Sequence, residues 1–248
     1  FARKDIYQAL KEYADTNPRL AHEDARLLSK WLERYERAGM ALSDKEAAEY
    51  ARLNTERLNK ITQFNVNLNN YQDELLVTRE ELDGMGETFI NRLARTDDGK
   101  YILTLKYPDY NPFMASAKNE KARKALQEKF ARRGGKENVA LLEDTLELRR
   151  QQAALLGYEK YPDYVLPVRM AKDYKTLEKF LKNLQKEVTP LAEKELKNYL
   201  KLKEETTGKK AAEMPAWELP YWENEYKKKY YQVDNDKIKE YFQADRVV

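Results

Sequence analysis

The chain has no cysteine and a single histidine, His22, in 248 residues. Without thiols there can be no disulfide staple and no thiolate metal site, and a reducing compartment is allowed. One imidazole also excludes any centre that needs two. Glycine and proline are scarce at eight each. No apolar run approaches the ~18–20 residues of a membrane span, and no signal-peptide pattern is visible. An excess of one charge is lacking too: 46 basic residues face 43 acidic ones, for a net +3. That balance argues against broad electrostatic capture of nucleic acid or of an anionic membrane. What is present is a 42% share of hydrophobic residues, enough for a sizeable core in one large domain or two small ones. The expectation is a soluble, cytoplasmic protein with neither a nucleic-acid nor a membrane partner.

Long stretches follow the helical period. Leu27, Leu28, Trp31, Leu32 and Tyr35 share one face of a first helix, which Gly39 ends. Ser43 and Glu46 have capping-box spacing, so a second helix starts there and carries Tyr50, Leu53, Leu58, Ile61, Phe64 and Leu68. The short link at 39–43 predicts an antiparallel helical hairpin over 1–70. Residues 75–78 and 101–107 favour strands, the second introduced by the turn Asp97-Asp98-Gly99. They predict a small β element over 71–112. Helices resume over 113–248, beginning with one that carries Ala122, Ala125, Leu126 and Phe130 and ends at Gly134-Gly135. The helix at 136–156 has apolar residues at 139, 142, 146, 153 and 156, widened by Leu141, Leu148 and Leu155, a face broad enough to predict deep burial. Asp173 is a candidate N-cap for a long helix bearing Leu177, Phe180, Leu181, Leu184, Val188 and Leu191. Pro190 should kink that helix without ending it. After a loop at 206–215, two shorter helices are expected near 221–231 and 234–242. No linker or repeat is evident, so 1–248 reads as a single, mainly α unit with a small sheet or hairpin.

Candidate chemistry is thin. His22 lies in LAHEDARLL, where a solvated helix start explains it better than a metal role. The carboxylate pairs Glu80-Glu81, Asp97-Asp98 and Glu204-Glu205 are sequence neighbours, which do not face each other on a helix. Arg132-Arg133-Gly134-Gly135-Lys136 lacks the order of a phosphate loop, and a helix C-terminus accounts for it. In the segment 226–231, Tyr-Lys-Lys-Lys-Tyr-Tyr, the combination of bases and aromatics suits single-stranded nucleic acid. Trp222, Tyr226 and Tyr230 nevertheless recur at i+4, a packing stripe with the lysines outside. The 18 tyrosines are also suited to lining a groove for a peptide backbone. No residue is assigned a catalytic or metal role, and no substrate-contacting residue is singled out.

The segment RRGGKENVALLEDTLELRRQQAALLGYEKYPDYVLPVRMA at 132–171 resembles the helical half of the M3 zinc oligopeptidases, the thimet oligopeptidase and neurolysin group. So do ELDGMGETFI at 81–90, RLARTDDGKYILTLKYPDYNPFM at 92–114, PAWELPYWENEYKKKYYQVD at 215–234 and EYF at 240–242. Gly84, Pro108, Gly134 and Gly135 fall in these blocks and read as backbone geometry. The resemblance implies one half of a two-domain, channel-forming peptidase that hydrolyses short unfolded peptides. The HExxH motif that would hold the catalytic zinc is absent from this sequence, as is any second histidine. The resemblance therefore implies a wall without the catalytic site, partnered by an HExxH-bearing half that supplies the zinc. The chain opens on Phe1 and closes on Val248, which reads as a piece cut from a longer polypeptide. A separately encoded non-catalytic subunit and a helical peptide- or protein-binding module are the alternatives.

Overall fold

A computed structural model describes residues 3–232, 238, 241 and 242. The fold is mainly α. In chain order it comprises α1 (Lys4–Asp15), α2 (His22–Arg37), α3 (Asp44–Asn70), β1 (Glu74–Val77) and α4 (Glu87–Asn91). There follow β2 (Tyr101–Thr104), α5 (Tyr107–Ser116), α6 (Glu120–Ala131), α7 (Gly135–Leu155) and α8 (Tyr161–Val165). The long α9 (Tyr174–Thr207) and the short α10 (Leu219–Tyr226) complete the described set. Two compact units are formed: Phe1–Asn69 with Gly134–Lys182, and Asn70–Arg133 with Asn183–Val248.

In the first unit α2 stops where the sequence requires. Gly39 has φ +83, its amide donates to Glu36, and the amide of Met40 reaches back to the carbonyl of Tyr35 at 3.0 Å. Those two bonds close a Schellman motif, which leaves Met40 against Tyr35 and Tyr7 in a small core. Leu10, Trp31 and Leu32 pack around that core, so the main apolar partner of α2 is α1, a helix the sequence reading had not assigned. The Ser43–Glu46 capping box forms as expected, with Glu46 accepting from the Ser43 amide at 3.1 Å and from its hydroxyl at 2.6 Å. The bend at Gly39 joins α2 to α3. The two helices line a cleft together, and side chains of α3 also bond to α7.

The seam between α3 and α7 is largely polar. Asn54 meets Gln152 at 3.3 Å, Lys60 meets Asp144 at 2.6 Å, and Asn67 meets Asn138 at 2.8 Å. As positions rise along α3 they fall along α7, so the helices run antiparallel. Asn138 also donates to the carbonyl of Phe64 at 3.1 Å. The deep burial expected for the apolar face of α7 is corrected here. Asn138, Thr145, Leu148, Gln152 and Ala153 are the buried residues, whereas Val139, Leu142 and Leu146 are about half exposed. The apolar count misled because amides that satisfy one another can occupy a helix interface in place of leucines.

The second unit is built on β1 and β2, antiparallel with Glu74 opposite Thr104 and Val77 opposite Tyr101. Val77, Leu82, Ile90, Leu103, Phe113, Met114 and Leu126 are almost completely buried between this ribbon and α4, α5 and α6. The strand expected over 101–107 ends at Thr104. From there the carboxylate of Asp109 accepts from the Thr104 amide at 3.1 Å, and Pro108 fits the first turn of α5, which needs no N–H. Arg123, itself buried, donates to the carbonyls of Ala117 and Trp217, and α10 is tied to α5 by Asn224 donating to the Ala115 carbonyl at 2.9 Å.

Asp173 caps α9, accepting from the Thr176 amide at 2.8 Å, and the helix runs through Pro190 to Thr207 as expected. Its stripe of Phe180, Leu181, Leu184, Val188 and Leu191 is exposed. The helix expected over 221–231 is α10 followed by one π-helical turn, Lys227–Tyr231. The last expected helix, near 234–242, lies for the most part outside the described residues.

Candidate functional site

His22 is the first residue of α2, and it is exposed. Among the described residues no group of three or more histidine, cysteine, aspartate or glutamate side chains converges on a common point. The donor set for zinc is thus not offered by these residues, and no metal step is derived from them.

At least one carboxylate of each pair is occupied locally. Glu81 accepts from the Thr78 amide at 2.9 Å, and a hydrogen bond from Thr78 holds the neighbouring Glu80 carboxyl below its usual range. Asp98 takes the Thr96 hydroxyl and Lys100 inside the turn. Glu204 accepts the Ala211 amide at 3.2 Å, while Glu205 pairs with Lys229 at 2.8 Å. The other lysines of the basic–aromatic segment are paired as well, Lys227 with Glu223 at 2.5 Å and Lys228 with Glu225 at 2.9 Å. Trp222 is buried and the rings of Tyr226 and Tyr230 lie 4.4 Å apart, so the i+4 stripe forms while its last member stays half exposed. At 132–136, Arg133 donates to the carbonyl of Phe130 at 3.1 Å and lies over the Phe130 ring, closing the end of α6.

The first unit does contain a built cleft. About 780 Å³ in volume, it lies between α2, α3 and α8, with Arg34, Arg37, Met40, Tyr50, Asn54 and Tyr164 among its walls. Its floor is a tyrosine pair. Tyr164 donates to the carbonyl of Arg37 at 2.9 Å, and the hydroxyls of Tyr50 and Tyr164 are 3.4 Å apart. Burial first, and then the hydrogen bond with Tyr164, push the Tyr50 phenol above its ordinary range, so it stays neutral at physiological pH. The Arg37 guanidinium lies 4.4 Å over the Tyr164 ring. Lys30, also in the lining, is neutralised by Glu33 at 2.5 Å, and that bond holds the Glu33 carboxyl below its usual range.

Sequence reasoning did not single out this site. One signal was available: Lys-Tyr-Pro-Asp-Tyr occurs at 106–110 and again at 160–164. Both copies open a helix with proline in the first turn, and both present tyrosine faces to an arginine, Arg133 over Tyr107 and Arg37 over Tyr164.

Comparison with known proteins gives the family. Residues 113–248 match the model of peptidase family M3. The chain belongs to that family. Saccharolysin of Saccharomyces cerevisiae is 30% identical over 100% of this M3 chain and 35% of its own length. The thimet-like oligopeptidase of Dictyostelium discoideum is 28% identical over 99% of the chain and 39% of its own length. Oligopeptidase A of Haemophilus influenzae is 26% identical over 98% and 38%. This M3 chain therefore spans roughly a third of the length of the curated relatives it matches. Among its described residues no helix is long and apolar enough to cross a membrane.

Proposed function

We propose that this chain is the helical, non-catalytic part of an M3 oligopeptidase and forms one wall of the path by which short unfolded peptides reach a zinc centre. The zinc ligands and the general base would come from an HExxH-bearing half, in the same polypeptide or in a second one, and the cytoplasm is the proposed setting. One observation carries the reading: a chain matching the M3 family over 113–248 holds one histidine, and that residue is exposed at the start of a helix.

The wall acts by steric access. A peptide with no fold of its own can be threaded along a narrow path, whereas a folded domain would first have to give up its stability, typically ~5–15 kcal/mol. Substrates are accordingly short, loosely selected by sequence and held through backbone hydrogen bonds and tyrosine contacts. The test is a substrate series on this chain combined with the HExxH-bearing half, from short peptides to a stable folded protein, with and without a chelator. Peptide cleavage that the chelator abolishes, with the folded protein left intact, is expected. Cleavage of the folded protein at a comparable rate overturns the wall, and activity without metal overturns the zinc chemistry.

A further inference from the structure

We propose that the cleft between α2, α3 and α8 binds a small ligand through a terminal oxyanion, a carboxylate or a phosphate group, with Arg37 and Arg34 as its charge partners. The site goes beyond the wall reading and does not depend on it.

The cleft carries an excess of positive charge, with Lys30, Arg34 and Arg37 against Glu33 in its lining. Lysines and arginines on this chain are commonly paired with carboxylates one turn away, as Arg52 is with Glu49 and Glu56 and Arg150 with Glu147. Around this cleft the pattern fails. Among the described residues no carboxylate pairs with Arg34, Arg37, Arg57 or Arg149. Arg34 and Arg37 line the cleft itself. Arg57 donates to Asn54, another lining residue, at 2.8 Å, and Arg149 lies over the ring of Tyr161, which packs on Tyr164. The Nε atoms of Arg57 and Arg149 are sealed from solvent with no acceptor. Against these four cations stands Glu33, bound to Lys30 and also within the electrostatic reach of Arg37. Glu36 lies one residue from Arg37, where it accepts from Tyr7 at 3.4 Å.

Geometry then selects the ligand. The Arg37 guanidinium lies 4.4 Å over the Tyr164 ring, and among the described residues no carboxylate pairs with its N–H groups. A planar fork of N–H groups matches the two oxygens of a carboxylate or two oxygens of a phosphate. Tyr164 holds Arg37 at two points, donating to its main-chain carbonyl and lying beneath its guanidinium. Met40, Ala47, Ala51 and Val168 supply an apolar wall for the body of the ligand.

The test uses the 248-residue chain alone, so it is independent of any peptidase activity. Titrate it calorimetrically with a short alanine peptide bearing a free C-terminus, with the C-terminal amide of the same peptide, and with inorganic phosphate. Saturable binding of the free acid, weakened about tenfold or more by amidation and by Arg37→Gln, is expected, since a charge-assisted bond is worth about that factor. Arg34→Gln should weaken binding several-fold, and Lys45→Gln, at an exposed position away from the cleft, should leave it unchanged. Competition by phosphate identifies a general oxyanion site, and its absence identifies a carboxylate site; both support the proposal. Thermal melts check that each variant folds, and if Arg37→Gln does not, the exposed Arg34 decides alone. Equal binding of acid and amide, no saturable binding of either anion, or affinity untouched by the folded arginine variants overturns it.

Discussion

Arg92 donates through Nη2 to the main-chain oxygen of Pro108 at 2.5 Å. In an uninterrupted helix that oxygen would accept from the amide of residue 112, which here is a proline without one. The guanidinium therefore fills a vacancy that Pro112 creates, and its Nη1 reaches the carboxylate of Asp109 at 2.7 Å. Arg92→Ala should cost about 1–2 kcal/mol in urea unfolding, since one carbonyl and one mostly buried carboxylate lose a donor while the exposed part of the pair is screened. Pro112→Ala restores the missing amide, so the same arginine deletion made in that background should cost less. Equal costs in both backgrounds would show that the two residues are not coupled.

Gly84 offers a sharper contrast. Its φ is +95, and a β-carbon there would stand 2.3 Å from the carbonyl oxygen of Ser116. Gly84→Ala should lose about 2–4 kcal/mol, combining the left-handed penalty with a clash against backbone that cannot swing aside. Gly86→Ala, where nothing lies within 4 Å, should stay below about 1 kcal/mol. Similar denaturation midpoints for the two variants would contradict the close approach of residues 84 and 116.

Glu147 provides a pH test. Hydrogen bonds from Arg150 and then from Gln151 hold its carboxyl down to about 2, from an ordinary 4.5. Because the folded-state value is depressed, the contribution of this pair to stability is present above pH 4.5 and is lost as pH falls from there toward about 2. Carboxyl resonances followed by NMR should show Glu147 titrating well below an ordinary 4.5, and Arg150→Gln should raise it. An ordinary midpoint in the unsubstituted chain would refute the pairing.

The exposed stripe of α9 should make the chain associate. Phe180, Leu184 and Leu191 expose 60%, 48% and 63% of their surface along one helix face, more contiguous apolar area than isolated surface leucines present. Sedimentation velocity should show concentration-dependent oligomers, and Phe180→Ser combined with Leu184→Ser should shift them toward monomer. A chain that stays monomeric at high concentration would remove the stripe as an adhesive face.

Much of the scaffold could be read in the residues. The Asp173 cap, the Ser43–Glu46 box and the passage of α9 through Pro190 follow from local chemistry acting within one or two turns. Helix α1 was within reach through Ile6, Tyr7 and Leu10, whose spacing is helical. Helix α5 was harder, since two prolines within six residues conceal a helix that depends on Arg92, sixteen positions from Pro108. The division into two units leaves no compositional mark: the chain passes between them at the last residues of α3, between α6 and α7, and inside α9. The arginine–tyrosine cleft left only the repeated Lys-Tyr-Pro-Asp-Tyr as a trace, for the same kind of reason. Arg37 and Tyr164 are 127 positions apart, and only tertiary packing brings that tyrosine to that carbonyl.

The amides between α3 and α7 have a consequence of their own. Leucines facing leucines adhere almost equally well after one helix slides a turn along the other, because dispersion is indifferent to which methyl meets which. Asn54 with Gln152 and Asn67 with Asn138 are not indifferent, since a slide would separate every donor from its acceptor at once. Such a joint is weak for its length but admits only one alignment, so it works less as an adhesive than as a ruler that fixes where the two helices stand.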